Sequence, residues 1–355
     1  MTAEREVKRR RIAALRRDAG GGALVLSSHE ALSWYLGGVR THVSLAGPPV
    51  LAVRAGDDGD RLFVAANEAD RLIAEELDPA DAERVVRVPW DRSVIEAASG
   101  DGDGAGRGVG GGRVLVETDA AAALRAARAE LLPVEVERYR ALGRDVAEVL
   151  TDVAAALTSQ SRERDAAAEA ARALVGCGID PLVVLVAGEE RLAHRHPLPT
   201  DGQLGDRAMI VVCGRRHGLI ANATRWVGRP GADDERILAV EAAFFGATRA
   251  GMRLDEVFAA GCRGYADAGF ASDEWTRHHQ GGPTGYAGRD PRATSETDDL
   301  VSTRHAFAWN PSAPGAKVED TVIVSPSGVE VVTADPRWPV TTVAGLARPV
   351  ARPFG

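Results

Sequence analysis

The side chains in this 355-residue chain best suited to moving a proton near neutrality are its histidines, and three of them sit among other polar groups: His194, His278 and His279. An unperturbed imidazole titrates at about pH 6.5, so it can both accept and return a proton under ordinary conditions. His194 precedes Pro197 by three residues, and a Leu204-Gly205-Asp206 turn then leads into an apolar run from Ala208 to Cys213. After Gly218 comes a segment holding Asn222, Thr224 and Arg225. Further on lie HHQGGPTG from His278 to Gly285, Arg304-His305, WNPS from Trp309 to Ser312, and VEDTVIV from Val318 to Val324. The amides Asn222 and Asn310 carry donors and an acceptor without charge. A pocket made of such groups could hold a neutral or zwitterionic small molecule by hydrogen bonds, with His194 as the proton shuttle.

The order and spacing of these segments resemble the C-terminal domain of the creatinase and Xaa-Pro peptidase superfamily, the pita-bread fold. Its pattern runs H-x-x-P, L-x-x-G-D-x-x-x-x-D-x-G, G-Y-x-x-D-x-T-R, H-x-x-G-H-G-x-G, then Glu-Pro-Gly and a final Glu-Asp. In working members two aspartates eleven residues apart, with a histidine and two glutamates, hold a pair of divalent cations. The resemblance implies that these five positions are Val211, Asn222, Gly282, Asn310 and Glu319 here. Two hard cations about 3.5 to 4 Å apart need bridging carboxylates to offset their repulsion, and of the five only Glu319 is a competent ligand. A small slip of the alignment would put His278 or His279 in place of Gly282, which still leaves one His and one Glu. No metal or other cofactor is therefore expected.

The resemblance also implies roles. His194 falls where family members place a substrate-contacting histidine, and where creatinase, which works without metal, places its general acid/base. His194, His278 and Glu319 are the catalytic candidates, with Asn222, Thr224, Arg225, His279, Arg304 and Asn310 as substrate contacts. The expected function is a metal-independent creatinase-like enzyme acting on a C–N bond, or on a proton-transfer step, of a small amino-acid-like substrate. The alternatives are an inactive homologue that binds a ligand or protein, as where this fold serves as a peptide or histone-binding module, and an active Xaa-Pro metallopeptidase. Creatine fits poorly, because positions that would hold its guanidinium carry the uncharged Thr224 and Asn310.

The elements that must position these residues follow an α+β plan. A helix is expected near residues 4 to 18, then a strand from Ala23 to Ser28, extended segments SWYLGGV, LAVRA and RLFVAA, and a short helix from Asn67 to Glu76. Strands interleaved with helices favour an α/β layer, and this part resembles the smaller creatinase-like N-terminal domain. The glycine-rich stretch from Ser99 to Arg113 contains a formal G-x-G-x-x-G but precedes a strand, VLVE, where a dinucleotide site needs a helix, so it reads as a surface loop. From Glu130 a long helix begins, with Pro133 near its start, and a second runs from about Arg162 to Leu174. Helices recur at Asp233–Ala250 and Leu254–Ala268, about ninety residues on. That duplication fits the pseudo-two-fold halves of the pita-bread domain, each a helix pair with an antiparallel sheet. The expected division is 1–130 for the N-terminal domain, 131–335 for the pita-bread domain, and 336–355 for a tail draped on the surface or on a partner subunit.

Composition narrows the classes further. With 45% hydrophobic and 26% charged residues and a net charge of −8, the chain can bury two ordinary cores. The acidity argues against nucleic-acid partners. No apolar run approaches the roughly 18 residues that span a bilayer, and the N-terminus does not resemble a signal peptide, so no membrane partner and a cytoplasmic location are expected. The basic run Lys8-Arg9-Arg10-Arg11 with Arg16-Arg17 reads as an exposed helix face. Cys177, Cys213 and Cys262, an odd count without C-x-x-C, read as buried thiols. The partner set implied is a small-molecule substrate and a second copy in a homodimer. Trp34, Tyr35 or the segment around His42 are candidates for a lid on the neighbouring subunit, core packing being the ordinary role of the aromatics.

Overall fold

A computed structural model describes residues 2–100 and 114–355. The chain divides into two compact units, Met1–Arg128 and Ala129–Gly355.

In the first unit, β1 (Ala23–Leu26), β2 (Leu51–Gly56), β3 (Gly59–Ala65), β4 (Val85–Val88) and β5 (Val114–Val116) form one sheet in the order β4-β3-β2-β1-β5. The strand expected at VLVE is β5, which pairs parallel with β1. The glycine-rich stretch falls almost wholly outside the described residues. Two expectations are corrected here. SWYLGG is not extended: His29–Tyr35 is a helix, opened by Ser28, whose Oγ accepts from the Ala31 N–H at 3.1 Å. It carries Trp34 and Tyr35 fully into the core, which leaves neither ring free to act as a lid. The basic run is also not uniformly solvated. Lys8 is completely buried, with its Nζ on Glu4 Oε1 at 2.5 Å and on the Trp34 carbonyl at 2.6 Å, and Arg5 reaches Asp60 at 2.9 Å. These partners satisfy cations that burial would otherwise penalise.

The second unit is built on one antiparallel sheet of seven strands. Its members are β6 (Asp180–Ala187), β7 (Arg207–Arg216), β8 (Leu219–Gly228), β9 (Gly281–Pro283), β10 (Ala306–Trp309), β13 (Asp320–Ser325) and β14 (Gly328–Val331). Their order is β6-β7-β8-β13-β10-β9, with β14 paired to β13. Two very short strands, β11 (Ser312–Ala313) and β12 (Ala316–Lys317), make a hairpin beside it.

Each half of the sheet carries a helix pair. Pro133–Ala155 starts with proline at its first turn, and the Leu132 N–H is taken by Glu135 Oε2 at 2.8 Å. With Glu163–Gly176 it packs on β6 to β8, where Gly214 permits the approach: a Cβ there would lie 2.7 Å from Ile179 and 3.2 Å from Val146. The second pair, Asp234–Ala247 and Leu254–Asp267, buries Phe244, Val257 and Tyr265 against Phe307, Trp309 and Val322 of β10 and β13.

The C-terminal segment differs from the draped tail expected of it. β15 (Val340–Val343) and β16 (Leu346–Pro349) form a hairpin, Arg352 bridges to Val227 of β8, and the Arg348 side chain is 2% exposed. Arg348 holds Glu241 with both nitrogens, at 2.6 and 2.7 Å, and Asp320 at 2.7 Å. The segment is an internal part of the second unit. Of the cysteines only Cys262 is fully buried, Cys213 is half-buried, and Cys177 is exposed at the end of its helix rather than in a core. No helix among the described residues is long and apolar enough to cross a membrane.

Candidate active site

The β7–β8 hairpin sets the floor of the site. Its register places Val211 opposite Thr224 and Cys213 opposite Asn222, so these four share one face. β13 lies alongside, where the Thr224 N–H donates to the Glu319 carbonyl at 2.9 Å. β10 follows, and beyond its end the Asn310 N–H donates to the Gln280 carbonyl at 3.0 Å. The sheet thus carries Val211 on β7 and Asn222 on β8, with Glu319 just before β13 and Asn310 just after β10.

Gly282, where the resemblance would put a metal-binding histidine, is closed to any side chain. Its φ is +133°, and a Cβ there would stand 2.9 Å from the Ala293 nitrogen and 3.1 Å from the Pro291 carbonyl oxygen. No side chain fits at this position without moving the backbone. Glu319, 1% exposed, is already paired: Arg289 Nη2 lies 2.7 Å from Oε1 and Lys317 Nζ 3.3 Å from Oε2. Burial alone would raise this carboxyl, but the two cations outweigh it and hold it below the ordinary carboxylate range. With Val211, Asn222 and Asn310 as the remaining positions, these residues do not fit a two-cation centre.

A histidine cluster stands on the neighbouring segments. The Nε2 atoms of His278 and His196 are 3.0 Å apart, and His278 Nδ1 is hydrogen-bonded to Ser312 Oγ at 3.0 Å. His279 completes the group, its ring centroid 4.4 Å from that of His278 and 5.8 Å from that of His196. Burial and the nearby Lys317 push His278 down to about 2, and burial with Arg289 pushes His279 down to about 4. His196 is lowered by the same causes, burial first and Lys317 second. The three rings are therefore neutral at pH 7, with ring nitrogens able to accept protons or metals.

Several buried polar atoms here have no hydrogen-bond partner among the described residues: His279 Nδ1, Thr224 Oγ1, Asn310 Oδ1, Arg289 Nε and Arg195 Nη1. Orphaned buried groups are costly and need an explanation, and a polar ligand or water supplies one.

The residues singled out in the sequence separate into two groups. Brought together are His278, His279, Asn222, Thr224, Asn310 and Glu319. His194 is exposed and lines a small recess with Arg195, Ser312 and Lys317, but the nitrogen that meets His278 belongs to His196. Arg225 is not free for substrate: it is 3% exposed, and donates to Asp320 Oδ1 at 2.9 Å, the Thr333 carbonyl at 2.5 Å and the Thr224 carbonyl at 2.9 Å. Arg304 is elsewhere, with φ +55° and its guanidinium on the Leu131 carbonyl at 2.8 Å and on Glu130, because it fastens the start of the long helix. Asn222 spends its amide Nδ2 on Thr284 Oγ1 at 3.3 Å. Lys317, Arg289, Ser312 and His196 were not foreseen. A signal existed for one of them: in extended chain, residues two apart share a face, which ties Lys317 to Glu319.

Solved structures show where this architecture recurs. The dipeptidase PepE from Mycobacterium ulcerans superposes with a TM-score of 0.75 at 20% identity, covering 99% of each chain. The prolidase from Pyrococcus horikoshii OT3 gives 0.73 at 14% identity, covering 93% of this chain and 99% of its own. The chain has the fold of these peptidases, the pita-bread fold. The same pita-bread architecture is present in the N-terminal domain of the FACT complex subunit SPT16 from Cicer arietinum, at a TM-score of 0.64 and 13% identity, over 93% of this chain and 96% of that one. No family model matches this sequence, and no curated protein does.

Proposed function

We propose that this protein is a metal-independent, creatinase-like hydrolase that acts on a C–N bond, or a related proton-transfer step, of a small amino-acid-like substrate. The observation that carries this reading is His278, held between Ser312 and His196, in a cluster whose other two rings, His196 and His279, feel a Glu319 carboxylate paired with Arg289 and Lys317. Arg289 and Lys317 supply positive charge at Glu319, the one competent ligand that the resemblance leaves, and they suit the carboxylate of an amino-acid-like ligand. A carboxylate arriving beside Arg289 and Lys317 offsets part of the positive charge that, after burial, lowers the imidazoles. In the hydrolytic step His278 accepts a proton from water as the water oxygen bonds to the substrate carbon, and it returns that proton to the leaving nitrogen as the C–N bond breaks, while His194 faces the same Ser312–Lys317 recess and contacts the departing amine. Thr224 Oγ1 and Asn310 Oδ1 give the ligand neutral hydrogen bonds.

The working form is proposed to be a cytoplasmic homodimer, which light scattering would report as twice the chain mass. The experiment for function is a turnover screen of N-substituted amino acids and Xaa-Pro dipeptides in the presence of EDTA. Turnover should survive the chelator and fall at least about 100-fold in His278→Ala, with the circular dichroism spectrum retained. Turnover abolished by EDTA and restored by a divalent cation would sink the proposal.

One observation favours a second reading, a non-catalytic binding module: the SPT16 domain of the FACT complex has the same architecture. Saturable ligand binding without turnover, weakened by Arg289→Ala, would select it.

A further inference from the structure

We propose that His196, His278 and His279 form a mononuclear site for a borderline transition metal such as Zn²⁺, Co²⁺ or Ni²⁺, built from side chains other than the five ligand positions of the fold. The three can each offer one ring nitrogen, and those atoms all lie within 4.8 Å of one another. Two imidazole nitrogens bound at about 2.05 Å to a tetrahedral ion stand about 3.3 Å apart, close to the 3.0 Å that already separates His196 Nε2 from His278 Nε2.

Three further features suit a metal. The Ser312 hydroxyl at His278 Nδ1 fixes that ring from behind, as the outer partners of metal-bound histidines do. His279 Nδ1 is buried and has no hydrogen-bond partner among the described residues. His196 is exposed, so its ring can turn to bring the third nitrogen to bonding distance at little cost. Neutral imidazoles select zinc, cobalt or nickel over magnesium and calcium, which prefer oxygen.

Three protein ligands leave a fourth position open to water or an anion. Arg289, Arg292 and Lys317 act electrostatically on these rings and oppose a dication, with Glu319 offsetting part of their charge. They weaken the site and favour an anion in the fourth position. A metal here occupies the lone pairs that the proposed proton transfer uses, so it should inhibit turnover. The site itself does not depend on that function.

The test is isothermal titration of the full chain with ZnCl₂ in a buffer that does not chelate, together with visible absorption on adding Co²⁺. We expect one Zn²⁺ per chain and a cobalt d–d band. Affinity should fall at least about tenfold in each of His196→Gln, His278→Gln and His279→Gln, and should be unchanged in His194→Gln. His196 is exposed, so its variant will fold whether or not the other two do. Absence of zinc binding, binding that survives in all three variants, or binding lost in His194→Gln would each overturn the assignment. A metal-free enzyme with no zinc site would refute this inference alone, and a zinc site in a protein without turnover would leave it standing while the proposed function fails.

Discussion

Glu319 holds two cations in place, the buried Lys317 and the partly buried Arg289. Removing its charge leaves Lys317, 5% exposed, and the Arg289 guanidinium facing each other without an anion between them. Breaking a buried ion pair from one side typically costs about 3 to 5 kcal/mol. We expect Glu319→Gln to lower the unfolding free energy by that order in urea titrations, and the double variant Glu319→Gln/Lys317→Met to recover a good part of it. If the single variant is as stable as wild type, the triad is not structural. Gly282 gives a sharper statement, because both its space and its φ of +133° are reserved for glycine. Gly282→Ala should cost roughly 1 to 3 kcal/mol, and Gly282→His should destabilise at least as much without creating any manganese or cobalt affinity at Glu319. Thermal melts with and without each cation check both outcomes.

At the scale of elements, the hairpin of β15 and β16 is anchored by one side chain. Arg348 joins Glu241 of the Asp234–Ala247 helix to Asp320 of β13, and Asp320 is also held by Arg225 of β8. Arg348→Ala strands the Glu241 carboxyl, which burial already pushes up to about 7 despite the guanidinium. A loss of about 3 to 5 kcal/mol is expected, with Glu241→Gln/Arg348→Met regaining most of it. Equal stability of Arg348→Ala and wild type in urea would contradict the anchoring. These pairs also explain what could be read in the sequence. The four long helices of the second unit were legible because each repeats its apolar residues at helical spacing and carries its own boundary signals, Pro133 at one start and Gly251 and Gly269 beyond two ends. Local pattern told nothing of partners 28 and 107 residues apart, so the segment after Pro336 looked like a tail. The helix His29–Tyr35 was missed for a different reason: it is only two turns long, and it ends in Trp34 and Tyr35, whose propensity favours strands. In the site, the positions Val211, Asn222 and Glu319 came from the resemblance to the family's motifs, whereas His196 and Arg289 sit on irregular segments whose direction no period fixes.

For the molecule as a whole, acid should be the destabilising direction, and His305 lets that be measured at one position. It is 5% exposed, packs at a tilt against Phe307, and accepts the Ser302 N–H at Nδ1 at 3.4 Å. Burial lowers it to about 4, whereas an unfolded histidine titrates at about 6.5. Between those values the unfolded chain binds a proton that the folded chain refuses. Stability is therefore complete above about pH 6.5 and declines as pH falls toward 4, by about 1.4 kcal/mol per pH unit once the unfolded state is protonated. Glu241 acts in the opposite sense, because its raised carboxyl takes up a proton in the folded state between about 7 and its ordinary value near 4.5, adding stability as pH falls. The net slope of the wild type mixes both groups with the depressed His278 and His279. The contribution of His305 is isolated by subtraction: urea unfolding of wild type and His305→Gln from pH 7.5 to 4.5 should give curves that converge as pH falls, the variant being less stable at neutral pH and losing less on acidification. Parallel curves would mean that His305 is protonated in the folded protein, and that the interior of the second unit admits a charge at this point.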